Sequence, residues 1–212
     1  MDLLIDKNAQ LERLKQQIVL DKICPALAAQ ASQLVFGYGK ADAKLVFIGE
    51  APGKQEDQTG IPFVGAAGKF LDELLASVNL FRQDIYITNI VKYRPPENRD
   101  PTFEEKQAFM PYLYQELTII QPQLVITLGR HPASCFLPTI KISQEHGKLR
   151  QLILKSQGKK LKIMLLPLYH PAAALYNGSM RQTLIDDFKQ IGEIISANKN
   201  IHEQQQLIIK TH

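Results

Sequence analysis

The chain has 212 residues, 45% of them hydrophobic and 22% charged, with 25 Lys and Arg against 21 Asp and Glu. That length can bury one sizeable core, and the usage is that of a globular protein, which excludes disordered and collagen-like classes. No apolar run reaches the roughly 18 residues of a membrane helix, and no basic-then-apolar signal pattern opens the chain, so a cytoplasmic protein is expected. Two cysteines, Cys24 and Cys135, cannot build a disulfide framework and supply at most half of a four-thiolate metal site.

Taken in chain order, residues 3–23 read as an amphipathic helix with Leu4, Leu11, Leu14 and Ile18 on its stripe. A strand follows at 44–48, then a helix carrying Phe70, Leu71, Leu74, Leu75 and Val78 on one face, then a strand at 85–91. Thr102 and Glu105 stand in capping-box spacing and open a helix that Pro122 stops, with a kink or break expected at Pro111. Strands at 124–128 and 162–168 and a helix at 180–197 complete the pattern, and the polar residues 201–212 read as a loose tail. The strand candidates are nearly continuous apolar runs, which suits strands covered on both faces. Such alternation predicts an α/β fold, a sandwich around a mostly parallel four-stranded sheet. The expected organisation is a single domain over 1–197 with a C-terminal tail at 198–212.

Between Glu145 and Asp186 there is no acid, while Lys148, Arg150, Lys155, Lys159, Lys160, Lys162 and Arg181 carry positive charge. This is either a solvated basic surface or a flank that faces a polyanion. In a parallel sheet, ligands sit outside the carboxyl ends of the strands. Gly49-Glu50-Ala51-Pro52-Gly53, Asn89, Gly129-Arg130-His131 and Tyr169-His170-Pro171-Ala172 follow or end the four strands, so carboxylate, amide and imidazole groups converge on one edge.

Several chemistries are excluded by spacing. Gly49 and Gly53-Lys54 are too close together for a phosphate loop, and Gln55 stands where the magnesium-binding hydroxyl belongs; Gly65 and Gly68-Lys69 fail in the same way. No strand is followed by GxGxxG, no serine sits in a GxSxG elbow, and neither cysteine has an activating histidine in a recognisable motif.

What remains is distinctive in its order: Gly49-Glu50-Ala51-Pro52-Gly53, Glu56-Asp57, Pro62-Phe63-Val64-Gly65, Thr88-Asn89-Ile90-Val91-Lys92, Arg94-Pro95-Pro96, Asn98-Arg99-Asp100-Pro101, Leu128-Gly129 and His170-Pro171-Ala172. Over about residues 20 to 192 the chain resembles the family 4 uracil-DNA glycosylases. The resemblance implies a three-layer α/β/α sandwich and a monofunctional glycosylase that hydrolyses the N-glycosidic bond of uracil in single- or double-stranded DNA. It implies a monomer that needs no metal for the chemistry.

Such an enzyme flips the nucleotide, holds the base by its Watson–Crick edge and cleaves the bond to the sugar. The resemblance assigns Phe63 as stacking platform, Asn89 as the amide that pairs with uracil, and Gly49 to the same base pocket. His170 would stabilise charge on the leaving base, and Glu50 or Glu56 would stabilise the sugar cation or orient water. Lys92, Arg94 and Arg99 would hold phosphates, and Leu175 and Tyr176 would enter the vacated stack. Each has a plainer reading: Phe63 as core, Asn89 as a strand-end cap, Glu56-Asp57 as a solvated turn. His131-Pro132-Ala133 repeats the tripeptide of the catalytic loop but stands at a helix start, so His131 is set aside. Two other functions stay open, a different target base such as hypoxanthine, and a non-catalytic nucleic-acid-binding module.

The sequence departs from the family at the iron–sulfur ligands. Its four cysteine positions correspond to Asp21, Cys24, Tyr93 and Phe109, so one thiolate in four remains. The expectation is no cluster, with Tyr93 and Phe109 buried near Cys24 in its place.

Overall fold

The computed structural model describes residues 6–210 apart from 157 and 176, with side chains described outside 156, 159 and 196–210. Helix α1 (Lys7–Leu20) is capped by Asp6, whose carboxylate accepts from the Asn8 N–H, and it buries Leu11, Leu14 and Ile18; Leu4 lies outside the described residues. Pro25 opens the short α2 (Pro25–Ala28). Then come β1 (Tyr38–Gly39), β2 (Leu45–Gly49), α3 (Lys54–Thr59), α4 (Ala66–Ser77) and β3 (Tyr86–Asn89). Helix α5 (Phe103–Ile120) starts with the expected capping box between Thr102 and Glu105. It is not broken at Pro111: the buried Phe109, Leu113 and Leu117 carry the helix through the lost hydrogen bond. Strand β4 (Leu124–Leu128), α6 (Arg130–Phe136), α7 (Ile142–Glu145), β5 (Arg150–Ser156), β6 (Lys159–Leu168) and α8 (Gly178–Lys210) complete the chain. The helical backbone of α8 runs on through the polar stretch 198–210 instead of ending at 197. Among the described residues no helix is long and apolar enough to cross a membrane.

The sheet has six strands in the order β1-β3-β2-β4-β6-β5. The four strands read from sequence form its parallel centre, and two antiparallel edge strands, β1 and β5, were not foreseen. The reason is physical. An edge strand has one partner and a wet side, so it lacks the continuous apolar run that marks a central strand.

Alternation along each central strand divides the core. Val46, Ile48, Tyr86, Val125 and Leu165 face α1 and α5, while Leu45, Phe47, Ile87, Ile126 and Leu166 face α4 and α8. Both faces are covered, which explains the uninterrupted apolar runs. The chain leaves β2 for one neighbour, β3, and returns to the other, β4, so strand order reverses beside the carboxyl end of β2.

The basic stretch does not gather at that end. Lys148 and Arg150 pair with Glu145, and Arg181 pairs with Glu73 while lying 4.2 Å from the Phe70 ring centroid. Lys155, Lys160 and Lys162 are exposed on the β5–β6 hairpin. Strand β4 pairs with β6 only from Met164 onward, so these lysines lie toward the opposite end of the sheet.

Candidate active site

At the carboxyl ends of β2 and β3 the pairing continues past the strands. Ile90 N–H donates to the Gly49 carbonyl and Val91 N–H to the Glu50 carbonyl, both at 3.0 Å. These bonds fix the backbone of Glu50 beside Asn89. A Cβ on Gly49 would stand 2.3 Å from Asn89 Oδ1 and 2.6 Å from Phe63 Cε2, so only glycine lets the amide and the ring approach from either side.

Phe63 is held in a left-handed backbone conformation, φ +57°, which costs a phenylalanine about 1–2 kcal/mol. Three features keep it there. Glu56 Oε1 accepts from the N–H groups of Val64 (2.9 Å) and Gly65 (2.8 Å). Arg82, ion-paired to Asp72, donates to the carbonyls of Pro62 and Phe63. Gly68 leaves room for the Phe63 carbonyl where a Cβ would collide with it. Arg82 has no motif around it, and sequence reading passed over it.

A pocket of about 350 Å³ opens here, lined among others by Glu50, Glu56, Phe63, Asn89, Asp100 and His170. Asn89 is buried, and its Oδ1 has no hydrogen-bond partner. The His170 ring lies 5.7 Å from the Phe63 ring, centroid to centroid, and its Nδ1 accepts from the Ala172 N–H at 3.1 Å. That bond occupies the Nδ1 lone pair and assigns the proton to Nε2. Burial pushes the imidazole down to about 4, against the pull of Glu56, so the ring is neutral near pH 7. Burial, with Asp100 beside it, pushes the Glu50 carboxyl up to about 7, and its Oε1 is buried without a hydrogen bond. The two acids therefore differ: Glu56 clamps the Phe63 loop, and Glu50 has an unengaged oxygen. A larger groove of about 1110 Å³ runs between α1 and the β1 edge, away from these groups.

Residues 36–191 match the model of the uracil DNA glycosylase superfamily. The chain belongs to this superfamily. The type-4 uracil-DNA glycosylase of Archaeoglobus fulgidus is 47% identical over 163 residues, covering 74% of this chain and 80% of the relative. That of Sulfurisphaera tokodaii is 41% identical over 188 residues, covering 87% and 84%. That of Thermotoga maritima is 35% identical over 191 residues, covering 87% and 94%.

In this superfamily member the expected phosphate contacts separate. Lys92 is not at the mouth: it is fully buried, with Nζ 2.6 Å from Glu116 Oε2 and a further bond to Thr88 Oγ1. The position alternates inward onto α5, and Glu116 neutralises it there. Arg94 Nε donates to Asn98 Oδ1 at 2.8 Å, and Arg99 makes a two-pronged pair with Glu105 at 2.6 and 2.8 Å. Of these three, only Arg99 lines the pocket. Leu175 is exposed after the His170 loop, and Tyr176 lies outside the described residues. His131, set aside in the sequence, comes to the same edge because Gly129 N–H donates to the Leu168 carbonyl at 2.8 Å. Its Nε2 is 3.0 Å from Asp100 Oδ2 and 3.7 Å from Glu50 Oε1. Nothing in the tripeptide pattern signals that meeting, since it joins α6 to the loop before α5.

At the four positions that the resemblance assigns to cluster ligands, the side chains are engaged in other contacts. The Asp21 carboxylate accepts from Tyr112 Oη at 2.5 Å and Gln17 Nε2 at 2.6 Å. Tyr93 and Phe109 are buried and meet edge to face at 6.0 Å, with Cys24 packed on the same core. Burial, with Glu105 nearby, pushes the Cys24 thiol up, away from the thiolate that would bind iron.

Proposed function

We propose that the protein excises uracil from DNA by hydrolysing the bond between the base and C1′, leaving an abasic site. The observation that carries this reading is the buried, unpartnered Asn89 Oδ1 in a base-sized pocket with an aromatic ring. A buried acceptor left open costs about 1–3 kcal/mol unless a ligand completes it. Uracil N3–H completes it, while the Asn89 amide donates to O4 and Phe63 stacks on the flipped ring.

As the C1′–N1 bond breaks, its electron pair moves onto the uracil ring and charge gathers on O2. The His170 Nε2–H donates to that oxygen. A neutral imidazole suits this role, since it stabilises the anion while keeping its proton. Glu50 faces the developing sugar cation as a carboxylate and orients the water whose oxygen bonds to C1′; the proton that this water loses passes to the Glu50 carboxylate, and the released uracil anion takes up a proton from solvent. Glu56 acts through Phe63, holding the platform loop.

Uracil-containing DNA, single- or double-stranded, is the substrate in this reading, with Arg99 at the pocket rim and Leu175 beside the vacated stack. The enzyme works without an iron–sulfur cluster, Tyr93 and Phe109 filling the volume near Cys24. Cytoplasmic placement is supported by its two free cysteines.

The test is a set of oligonucleotides carrying one uracil, hypoxanthine, xanthine or thymine mismatch, incubated with chelator and then cleaved with alkali. Free uracil with strand scission at the uracil site is the expected result. No product from any uracil substrate at high enzyme concentration defeats the catalytic reading, and scission at hypoxanthine alone redirects it.

A further inference from the structure

Glu50 has an unresolved need. Its Oε1 is buried and makes no hydrogen bond, yet a carboxylate that serves a cationic transition state must be held in place and ionised. The ion-pair partner in range is His131 Nε2, at 3.7 Å.

Around that nitrogen the contacts compete. Asp100 Oδ2 stands at 3.0 Å and Arg130 Nε at 3.0 Å from the same Nε2, and Arg130 Nη2 also reaches Asp100 Oδ2 at 3.2 Å. A ring nitrogen carries either one proton or one lone pair. With a lone pair there, Nε2 would face two carboxylates. With a proton, it donates toward them, and Arg130 keeps Asp100 through Nη2. Arg130 Nε donates to that nitrogen as the site stands; once Glu50 is ionised, two carboxylates against one guanidinium favour the protonated Nε2, and the Arg130 Nε–H turns from it toward Asp100. The ring then stands between an exposed acid and the pocket acid, with an N–H that reaches Glu50 after a shift of the imidazole by less than about 1 Å, the difference between the observed gap and an ordinary hydrogen bond.

Building on the assignment of Glu50 as the catalytic carboxylate, we infer that His131 is a positioning residue for Glu50, its Nε2–H passing from Asp100, which keeps Arg130 as partner, to Glu50. It supplies the hydrogen bond that Oε1 lacks when a flipped nucleotide fills the pocket and water leaves. The other oxygen is then free for the sugar and the water.

The charged and titratable groups that face Glu50 are Asp100 and Lys106 on the α5 side, and Arg130, His131 and Cys135 on α6. Among them Asp100 raises the Glu50 pKa, and Lys106 and Arg130 lower it. An N–H from His131 favours the carboxylate. The two members of the pair therefore act on Glu50 in opposite directions, which a purely structural role would not produce.

Single-turnover uracil release from a uracil oligonucleotide, measured from pH 5 to 9, tests this. The wild type should lose activity on the acid side with a midpoint near 7, and Glu50→Gln should remove that limb along with most of the rate. His131→Ala should lower the maximal rate about tenfold, the scale of a mispositioned catalytic group. It should move the acid limb to higher pH and leave the half-saturating enzyme concentration unchanged. His131→Gln, which keeps an N–H, should restore most of the rate. Asp100→Asn should move the limb to lower pH.

A wild-type rate and limb in His131→Ala, with Glu50→Gln inactive, would overturn the positioning role alone, whatever Asp100→Asn does. Full activity and an intact limb in Glu50→Gln would instead overturn the assignment of Glu50 and take the positioning role with it. Should His131→Ala melt below the assay temperature, His131→Phe decides: it fills the same volume without an N–H, and a wild-type rate and limb in that variant count against the inference.

Discussion

Asn89 and Lys92 stand three residues apart at the end of β3, both polar and both buried, and they have opposite surroundings. Lys92 Nζ is bonded to Glu116 and Thr88, and Glu116 takes Tyr86 Oη as well, at 2.7 Å. Asn89 Oδ1 has no partner at all. A buried polar group that the fold satisfies belongs to the fold. One that the fold leaves open, in a wall of a pocket, belongs to the ligand. The contrast separates scaffold from site more sharply than residue type does, because by type a lysine after a strand end looks like the phosphate contact.

The largest effect should follow from breaking the satisfied group. Lys92→Ala leaves Glu116 as a buried charge without a cation and should cost about 3–5 kcal/mol in chemical denaturation. Activity per folded molecule should persist. Lys92→Met with Glu116→Leu should recover part of the stability, since it removes the lone buried charge but leaves the Tyr86 and Thr88 hydroxyls without their acceptor. A stable single variant that loses uracil release would put Lys92 back in the site and erase the contrast.

Breaking the open group should do the reverse. Asn89→Ala and His170→Ala should each lower single-turnover uracil release about 10²–10³-fold, the scale of one lost charge-stabilising donor. Asn89→Ala should leave the melting temperature unchanged or raised, because it removes an unpaired buried acceptor. His170 also predicts acid sensitivity. Burial holds its pKa near 4, below the ordinary imidazole value of about 6.5, so the unfolded chain takes up a proton first and stability falls as pH drops from about 6.5 to 4. His170→Gln should lose that slope.

Glu50 should give a smaller and opposite dependence. Burial holds its pKa near 7, above the ordinary carboxyl value of about 4.5, so the folded state holds a proton that the unfolded chain has released between those limits. Wild-type stability should therefore fall as pH rises through that window. Glu50→Gln should be more stable than wild type at pH 8 by about 1–2 kcal/mol, after discounting the group's partial exposure, and equal to it at pH 4. Equal stability at both pH values would show that Glu50 is no more strained than an ordinary surface acid.

The least conspicuous outcome concerns iron. Anaerobically purified protein should be colourless, with no cubane band near about 400 nm, since Phe109 offers no donor and Tyr93 is packed against its ring. A brown preparation with stoichiometric iron would overturn the reading of Asp21, Cys24, Tyr93 and Phe109.

Much of this was legible in the chain itself. The four central strands are long enough and apolar enough, on both faces, to be read without a partner in view. The motifs after Ile48, around Asn89 and at His170 mark the strand ends where the pocket lies. Composition and spacing also dispose of the phosphate-loop and dinucleotide readings. What the chain could not show is how charges pair across it. Periodicity reports which face a residue occupies, and it is silent on what stands opposite. Lys92 could be placed only when Glu116 on α5 was seen beneath it. Arg82 could be recognised as the support of Phe63 only through two backbone carbonyls. His131 joined Glu50 and Asp100 only because α6 starts against the end of β6. Edge strands β1 and β5 stayed hidden for a related reason, since half of their pairing capacity faces solvent. Local pattern determines the elements and their order, because burial on a face is written every two or every three to four residues. Which polar group is satisfied and which is left waiting is decided by contacts between distant segments, and that is settled only when the sheet and its helices close.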